Sequence, residues 1–320
     1  MSMPWRLRVL GAVVNRTAEP VEEVTDHAAA RARRRALRES PLGATVFGRA
    51  DRRVTVEDLD LALPGRPARA RLYRPNGVGT RTRPVVVNYH GGGWVQGEPE
   101  QSEWFASRVA ARTGAVVISP SYRLAPEHPY PAAVDDAWDE LSWIVEHGDR
   151  LGIDPDRVAV MGDSAGGNLA AVTAMTSRDK GGPEIRAQVL IYPAVEMYEK
   201  FASEIAMPEA PVLTSANMRA FVRLYLQDAY GTEDPQASPL RAGSHEGLAP
   251  AFILTAAADP LLDNGSRYRD ALRRAGVAVR YREYAGAVHG FVSLPGLMRG
   301  PAHAALDDVT EFLTERLILP

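Results

Sequence analysis

A serine set between glycines, Gly162-Asp163-Ser164-Ala165-Gly166, follows the apolar run Val158-Ala159-Val160-Met161 and precedes the helix-compatible Gly167-Asn168-Leu169-Ala170-Ala171. G-x-S-x-G between a strand and a helix is the setting of a nucleophile elbow: a sharp, strained turn lifts the hydroxyl clear of the sheet, and glycines let strand and helix come close. A serine placed there can attack an acyl carbon once a base takes its proton. The pentapeptide alone also occurs as a plain turn; the strand before it and the helix after it favour the catalytic reading. It is no phosphate cradle, since the spacing and the lysine of a P-loop are both missing.

Acyl transfer also needs donors for the charge that develops on the carbonyl oxygen. His90-Gly91-Gly92-Gly93-Trp94 closes the strand-like Val85 to Tyr89, and three successive glycines suit backbone that must bend tightly and present bare N–H groups. An oxyanion hole built from Gly91, Gly92 and Gly93 with Ala165 is expected, Gly92, Gly93 and Ala165 donating and Gly91 forming the turn. His90 reads as a structural hydrogen-bonding residue. Of the seven histidines, His289, in Gly286-Ala287-Val288-His289-Gly290-Phe291, is the expected general base, and Asp259, ending the apolar run Phe252 to Ala258, the expected acid. Both follow strands, where loops at the carboxyl edge of a parallel sheet converge. A neutral imidazole can deprotonate Ser164, and a carboxylate fixes its tautomer and stabilises the imidazolium. Asp263 reads instead as a helix N-terminal residue, and His128 and His147 lie away from strand ends.

These groups need a sheet to hold them. Two alternating segments, Val54 to Leu63 and Ala68 to Tyr73, read as an antiparallel edge; short continuous apolar runs at Val85-Val86-Val87, Ala115 to Ile118, Val158 to Met161, Val189 to Ile191 and Phe252 to Leu254 read as strands covered on both faces. Helical spacing recurs near residues 101–112, 133–147, 165–178, 263–275 and 301–317, so the fold class is α/β with a mainly parallel sheet. Two stretches break the rhythm. Residues 1–48 read as helices with an arginine cluster at Arg31, Arg33, Arg34, Arg35 and Arg38, taken as a solvated face, and residues 196–235 are inserted between sheet strands. Together they form an expected cap on a catalytic domain of residues 49–320. Trp94, Met207 and Phe221 are the side chains expected to touch substrate.

Composition bounds the rest. A chain of 320 residues buries a large core, and the absence of cysteine excludes disulfides, thiolate metal sites and a cysteine nucleophile. A net charge of -3 gives no general attraction to nucleic acid or anionic lipid. The start, MSMPWRLRVLGAVV, reads as mature protein, and no stretch reaches the roughly 20 apolar residues of a membrane span. A soluble, cytoplasmic protein is the expectation, acting on a small-molecule ester without metal or cofactor, with a homodimer open.

Taken in order, His90-Gly91-Gly92-Gly93-Trp94, Tyr122-Arg123-Leu124-Ala125-Pro126-Glu127, Pro131-Ala132-Ala133-Val134-Asp135-Asp136, Gly162 to Gly167, Asp259 to Asp263 and His289-Gly290-Phe291 resemble the hormone-sensitive-lipase-like esterases of the α/β-hydrolase fold, in their Gly-Asp-Ser subgroup. The resemblance runs over roughly residues 84–293. It implies an eight-stranded sheet, a helical cap, the chain order Ser, Asp, His, a metal-free mechanism, and esters of short- to medium-chain acids. Ser121 departs from it, standing where relatives carry Asp. A deacetylase of a specialised metabolite would use the same machinery; a non-catalytic receptor on this scaffold would need none of the triad.

Overall fold

The computed structural model describes residues 20–77 and 82–319. Residues 1–19 of the expected N-terminal cap segment lie outside that range. Two helices come first, α1 (His27–Glu39), whose N-terminus is capped by the Asp26 side chain on the Ala29 N–H at 2.8 Å, and α2 (Pro41–Phe47), capped by Ser40 with proline in its first turn. The body then alternates: β1 (Val54–Leu63), β2 (Arg66–Pro75), β3 (Arg83–Tyr89), α3 (Glu103–Thr113), β4 (Val116–Pro120), α4 (Ala132–Glu146), β5 (Ile153–Asp163), α5 (Ala165–Lys180), β6 (Ile185–Ile191), α6 (Ala202–Ala206), α7 (Ser215–Leu226), β7 (Ala251–Ala258), α8 (Leu262–Arg274), β8 (Val279–Val288) and α9 (Arg299–Leu317).

Among the described residues, eight strands form one sheet in the order β1-β2-β4-β3-β5-β6-β7-β8. β1 runs antiparallel to β2, and β2 antiparallel to β4; from β4 to β8 every pairing is parallel. The expected antiparallel edge and parallel centre are both present. The middle strands read as unbroken apolar runs because both faces are covered: Val85, Val86 and Val87 are all 0% exposed. One core layer joins Leu141, Leu169 and Leu272 from α4, α5 and α8, and the other joins Val109, Leu306 and Phe312 from α3 and α9. Burying a side chain of this size stabilises the fold by about 1.5–3 kcal/mol. Because β3, β5, β7 and β8 are parallel, the segments after Tyr89, Asp163, Ala258 and Val288 all emerge at the same sheet edge.

The arginine cluster is a solvated face only in part: Arg33, Arg34 and Arg35 are exposed, as expected, while Arg31 and Arg38 are half-buried against the body. Arg31 donates to the Val95 carbonyl and the Ala125 carbonyl, each at 2.8 Å, and forks onto Glu127; Arg35 and Arg38 pair with buried Glu98. Guanidinium groups at helical spacing meet carboxylates and carbonyls of two segments, one after the glycine loop and one after β4, so α1 is fastened to the body. No helix among the described residues is long and apolar enough to cross a membrane.

Candidate active site

Ser164 lies in the turn between β5 and α5 with φ 56° and ψ −117°. A non-glycine residue in that region costs on the order of 1–3 kcal/mol, held here by the buried residues on either side of it, Asp163 and Ala165. The flanking glycines explain how. A Cβ on Gly162 would come 2.1 Å from the Gly166 carbonyl oxygen, and one on Gly166 would come 2.0 Å from that of Tyr89. The elbow is also stitched to β6, the Ser164 N–H donating to the Ile191 carbonyl at 2.9 Å.

His289 follows β8, and its Nε2 lies 2.9 Å from the Ser164 Oγ. Its Nδ1 lies 2.7 Å from Oδ2 of Asp259, which follows β7. Asp259 is fully buried, and its second oxygen accepts the Leu261 N–H at 2.9 Å. A carboxylate accepts only, so the imidazole proton sits on Nδ1 and Nε2 presents its lone pair to the serine hydroxyl. The three residues picked from strand ends are thus brought into one hydrogen-bonded line.

The glycine loop lies beside them. Gly92 and Gly93 adopt φ 123° and 62°, conformations that favour glycine. They line the cleft at Ser164, and their N–H groups, like that of Ala165, have no acceptor among the described residues. Gly91 is different: its N–H donates to Asp163 Oδ1 at 2.9 Å, so this part of the loop is committed to the turn and has no N–H to offer an oxyanion. His90 is buried, with Nδ1 2.9 Å from the Gly91 carbonyl and its ring stacked on Tyr122. Burial pulls its pKa down to about 4, so it stays neutral and supports the loop.

Asp163 carries a role that its place in the motif did not reveal. Burial pushes its pKa up to about 6, against the opposing effects of the Gly91 N–H and nearby His289. The cleft itself has a volume of about 270 Å³. Trp94 and Phe221 line it; Trp94 is stacked on Tyr225 at 4.5 Å. Met207 does not. It lies half-buried at the C-terminal cap of α6, where its N–H closes the last turn on the Ser203 carbonyl at 3.0 Å and holds it on the helix, outside the cleft. Instead Met197, Val212, Leu213 and Met218 come from the insertion, Phe47 from α2, and Leu261 from the turn after Asp259. Leu261 could have been found from its place two residues beyond the acid; Phe47 and Val212 carry no such signal. Among the described residues no cluster of His, Asp or Glu is arranged to hold a metal ion.

An eight-stranded sheet of this order, with a strained serine after β5 and an Asp and a His after β7 and β8, defines the class of α/β hydrolases. The chain belongs to the alpha/beta hydrolase fold family whose model matches residues 86–293, in its hormone-sensitive-lipase-like branch. It is 40% identical over 252 residues to an esterase, LipI, of Mycobacterium tuberculosis, covering 78% of each chain. It is 35% identical over 289 residues to an ethyl acetate hydrolase of Pseudomonas putida, covering 89% of each. A solved hyperthermophilic esterase of the archaeon Pyrobaculum calidifontis superposes with a TM-score of 0.88 at 36% identity, over 98% of this chain and 99% of that one.

Proposed function

We propose that this carboxylic ester hydrolase uses Ser164 as nucleophile, His289 as general base and acid, and Asp259 to orient the imidazole, and that it acts on small esters of short- to medium-chain acids. The carrying observation is the line from Asp259 through His289 to the Ser164 Oγ, with contacts of 2.7 and 2.9 Å, opening into the cleft. Ser164 Oγ forms a bond to the ester carbonyl carbon while its proton passes to His289 Nε2. The carbonyl oxygen gains charge facing the Gly92, Gly93 and Ala165 N–H groups, each such donor contributing on the order of 10²–10³ in rate. The tetrahedral species collapses, the alcohol leaves with the proton from His289, and water repeats the sequence to release the acid.

The small, largely apolar cleft supports the acyl range, as does the similarity to a hydrolase of ethyl acetate. In this reading residues 27–47 and the insertion at 196–235 act together as a roof, since Phe47 and Phe221 line the same cleft. The experiment is a panel of p-nitrophenyl esters from acetate to decanoate, with wild type and Ser164→Ala side by side. Wild type should turn over the short members best and the variant none, with an unchanged melting temperature; undiminished turnover by the variant would remove Ser164 from the mechanism.

A further inference from the structure

The turn that carries Asp259 is tied to the insertion through one buried serine. Ser203, in α6, is 5% exposed. Its N–H donates to Asp263 Oδ2 at 2.8 Å, its hydroxyl donates to the Pro260 carbonyl at 2.8 Å, and the same oxygen accepts the Asp263 N–H at 3.1 Å. One residue on, Asn264 Oδ1 accepts the N–H groups of Val195 and Glu196, each at 3.0 Å, where the chain leaves β6 for the insertion. The turn after β7 is therefore both the seat of the acid and the anchor of the insertion.

The bond to Pro260 matters most, because of what lies across the same peptide group. The Pro260 carbonyl and the Leu261 N–H belong to one rigid plane. Its oxygen is held by the Ser203 hydroxyl, and its N–H holds Asp259 Oδ1 at 2.9 Å. Fixing one end of a planar unit fixes the direction of the other. With the carbonyl released, the plane can rock about its flanking dihedrals, the N–H swings off Oδ1, and Asp259 loses the contact that keeps Oδ2 on His289.

We propose that Ser203 is a positioning residue: it orients the Asp259 carboxylate toward His289 through the Pro260–Leu261 peptide plane. The proposal rests on the reading of Asp259 and His289 above and goes beyond it by placing a residue of the insertion in control of the acid. Ser203 touches neither substrate nor the reacting atoms, so its effect falls on turnover and leaves substrate capture alone.

The test compares wild type, Ser203→Ala and Ser203→Thr on p-nitrophenyl acetate, with active sites titrated by diethyl p-nitrophenyl phosphate so that rates are per competent site. Ser203→Ala should lower kcat per site about 5- to 30-fold with KM within twofold, and Ser203→Thr, which keeps the hydroxyl, should recover to within threefold of wild type. The downfield proton resonance of the His289–Asp259 hydrogen bond should weaken or move upfield in Ser203→Ala and return in Ser203→Thr. An unchanged kcat per site, a change confined to KM, or a threonine variant as slow as the alanine one at equal melting temperature overturns the proposal. Should the alanine variant not fold, Ser203→Cys, a much weaker donor of similar size, carries the same comparison. Ser164→Ala in parallel keeps the two readings apart, because its loss of turnover tests the mechanism whatever Ser203 does.

Discussion

The carboxylate of Asp163 holds the backbone of Gly91: Oδ1 accepts the Gly91 N–H at 2.9 Å, and a Cβ on Gly91 would stand 2.5 Å from Oδ2. In the proposed mechanism, the residue before the nucleophile therefore braces the loop that offers the oxyanion donors. Asp163→Ala should lower kcat about 10- to 100-fold with KM little changed, since the brace and not a donor is lost, where a donor itself contributes on the order of 10²–10³. Asp163→Asn keeps an acceptor and should stay within a few-fold of wild type. Its effect on stability has a defined sign. Burial raises the Asp163 pKa from 3.8 to about 6, so the folded state binds the proton more tightly, and stability declines as pH rises between those values. At about 1.4 kcal/mol per unit, that is at most about 3 kcal/mol at neutral pH. Thermal melts from pH 4 to 8 should show Asp163→Asn with the flatter profile and the greater gain at pH 7; parallel curves for the two proteins would show that Asp163 does not titrate there.

Two glycines of the site should respond in different ways to the same added methyl. At Gly93 a Cβ meets the Phe221 ring at 2.4 Å, and φ is +62°; at Gly166 it meets the Tyr89 backbone carbonyl at 2.0 Å. The atoms met at Gly93 are Cγ, Cδ1 and Cβ of one side chain, which can give way only together with α7 of the insertion, while the carbonyl at Gly166 belongs to the central sheet. Gly93→Ala should remain folded and lose at least 100-fold in kcat/KM as the donor is displaced. Gly166→Ala should lose 3 kcal/mol or more on the order of a severe overpacking penalty. Circular dichroism melts set beside ester kinetics separate the two outcomes, and similar melting temperatures for both variants would contradict this division.

What the sequence makes legible in this chain is set by how local the determinant is. Ser164 and the His90–Trp94 loop announce themselves because strained backbone demands glycine at fixed neighbouring positions. Asp259 and His289 are found less directly, through the strands that end before them, and the sheet order places those ends together. The cleft wall is not legible in that way. Val212, Phe47 and Leu294 line the cleft from three separate segments, and α6, with five residues, is too short for periodicity to say which side faces the serine. Met207 shows the consequence: an apolar residue in the right segment, facing elsewhere. The pairings of Arg31, Arg35 and Arg38 escape the sequence for a related reason, because their partners Glu98 and Glu127 lie far along the chain.

Phe221 closes the cleft where the insertion meets the glycine loop, 8% exposed and against Gly93. Shortening it opens volume in the cleft beside Gly93. Phe221→Ala should raise the octanoate-to-butyrate ratio of kcat/KM about tenfold, at a stability loss of about 3–5 kcal/mol typical of a buried Phe→Ala change. Met218→Ala, from the same helix and cleft, should move the ratio the same way at a smaller stability cost, because Met218 is only half-buried. A ratio that falls or holds in both variants would place the acyl chain on another wall.

Glu140, in α4, is fully buried, and neither carboxylate oxygen has a hydrogen-bond partner. Burial pushes its pKa well above 4.5, Asp136 adding to the effect and Arg66 opposing it. An acid whose folded pKa exceeds its unfolded one contributes most to stability below pH 4.5, and that contribution is lost as pH rises toward the folded value. Above that range the chain must either keep a proton on Glu140 or bury a charge. Glu140→Gln removes the titration, and Glu140→Leu also removes the unpaired polar atoms at similar volume. Both should gain on wild type between pH 5 and 8, Leu more than Gln, with ester turnover within twofold because Glu140 does not line the cleft at Ser164. Guanidinium denaturation at pH 5, 6.5 and 8 measures the gain; an advantage independent of pH would mean that the two states bind the proton equally, and a loss in both variants would mean that Glu140 has a partner in solution.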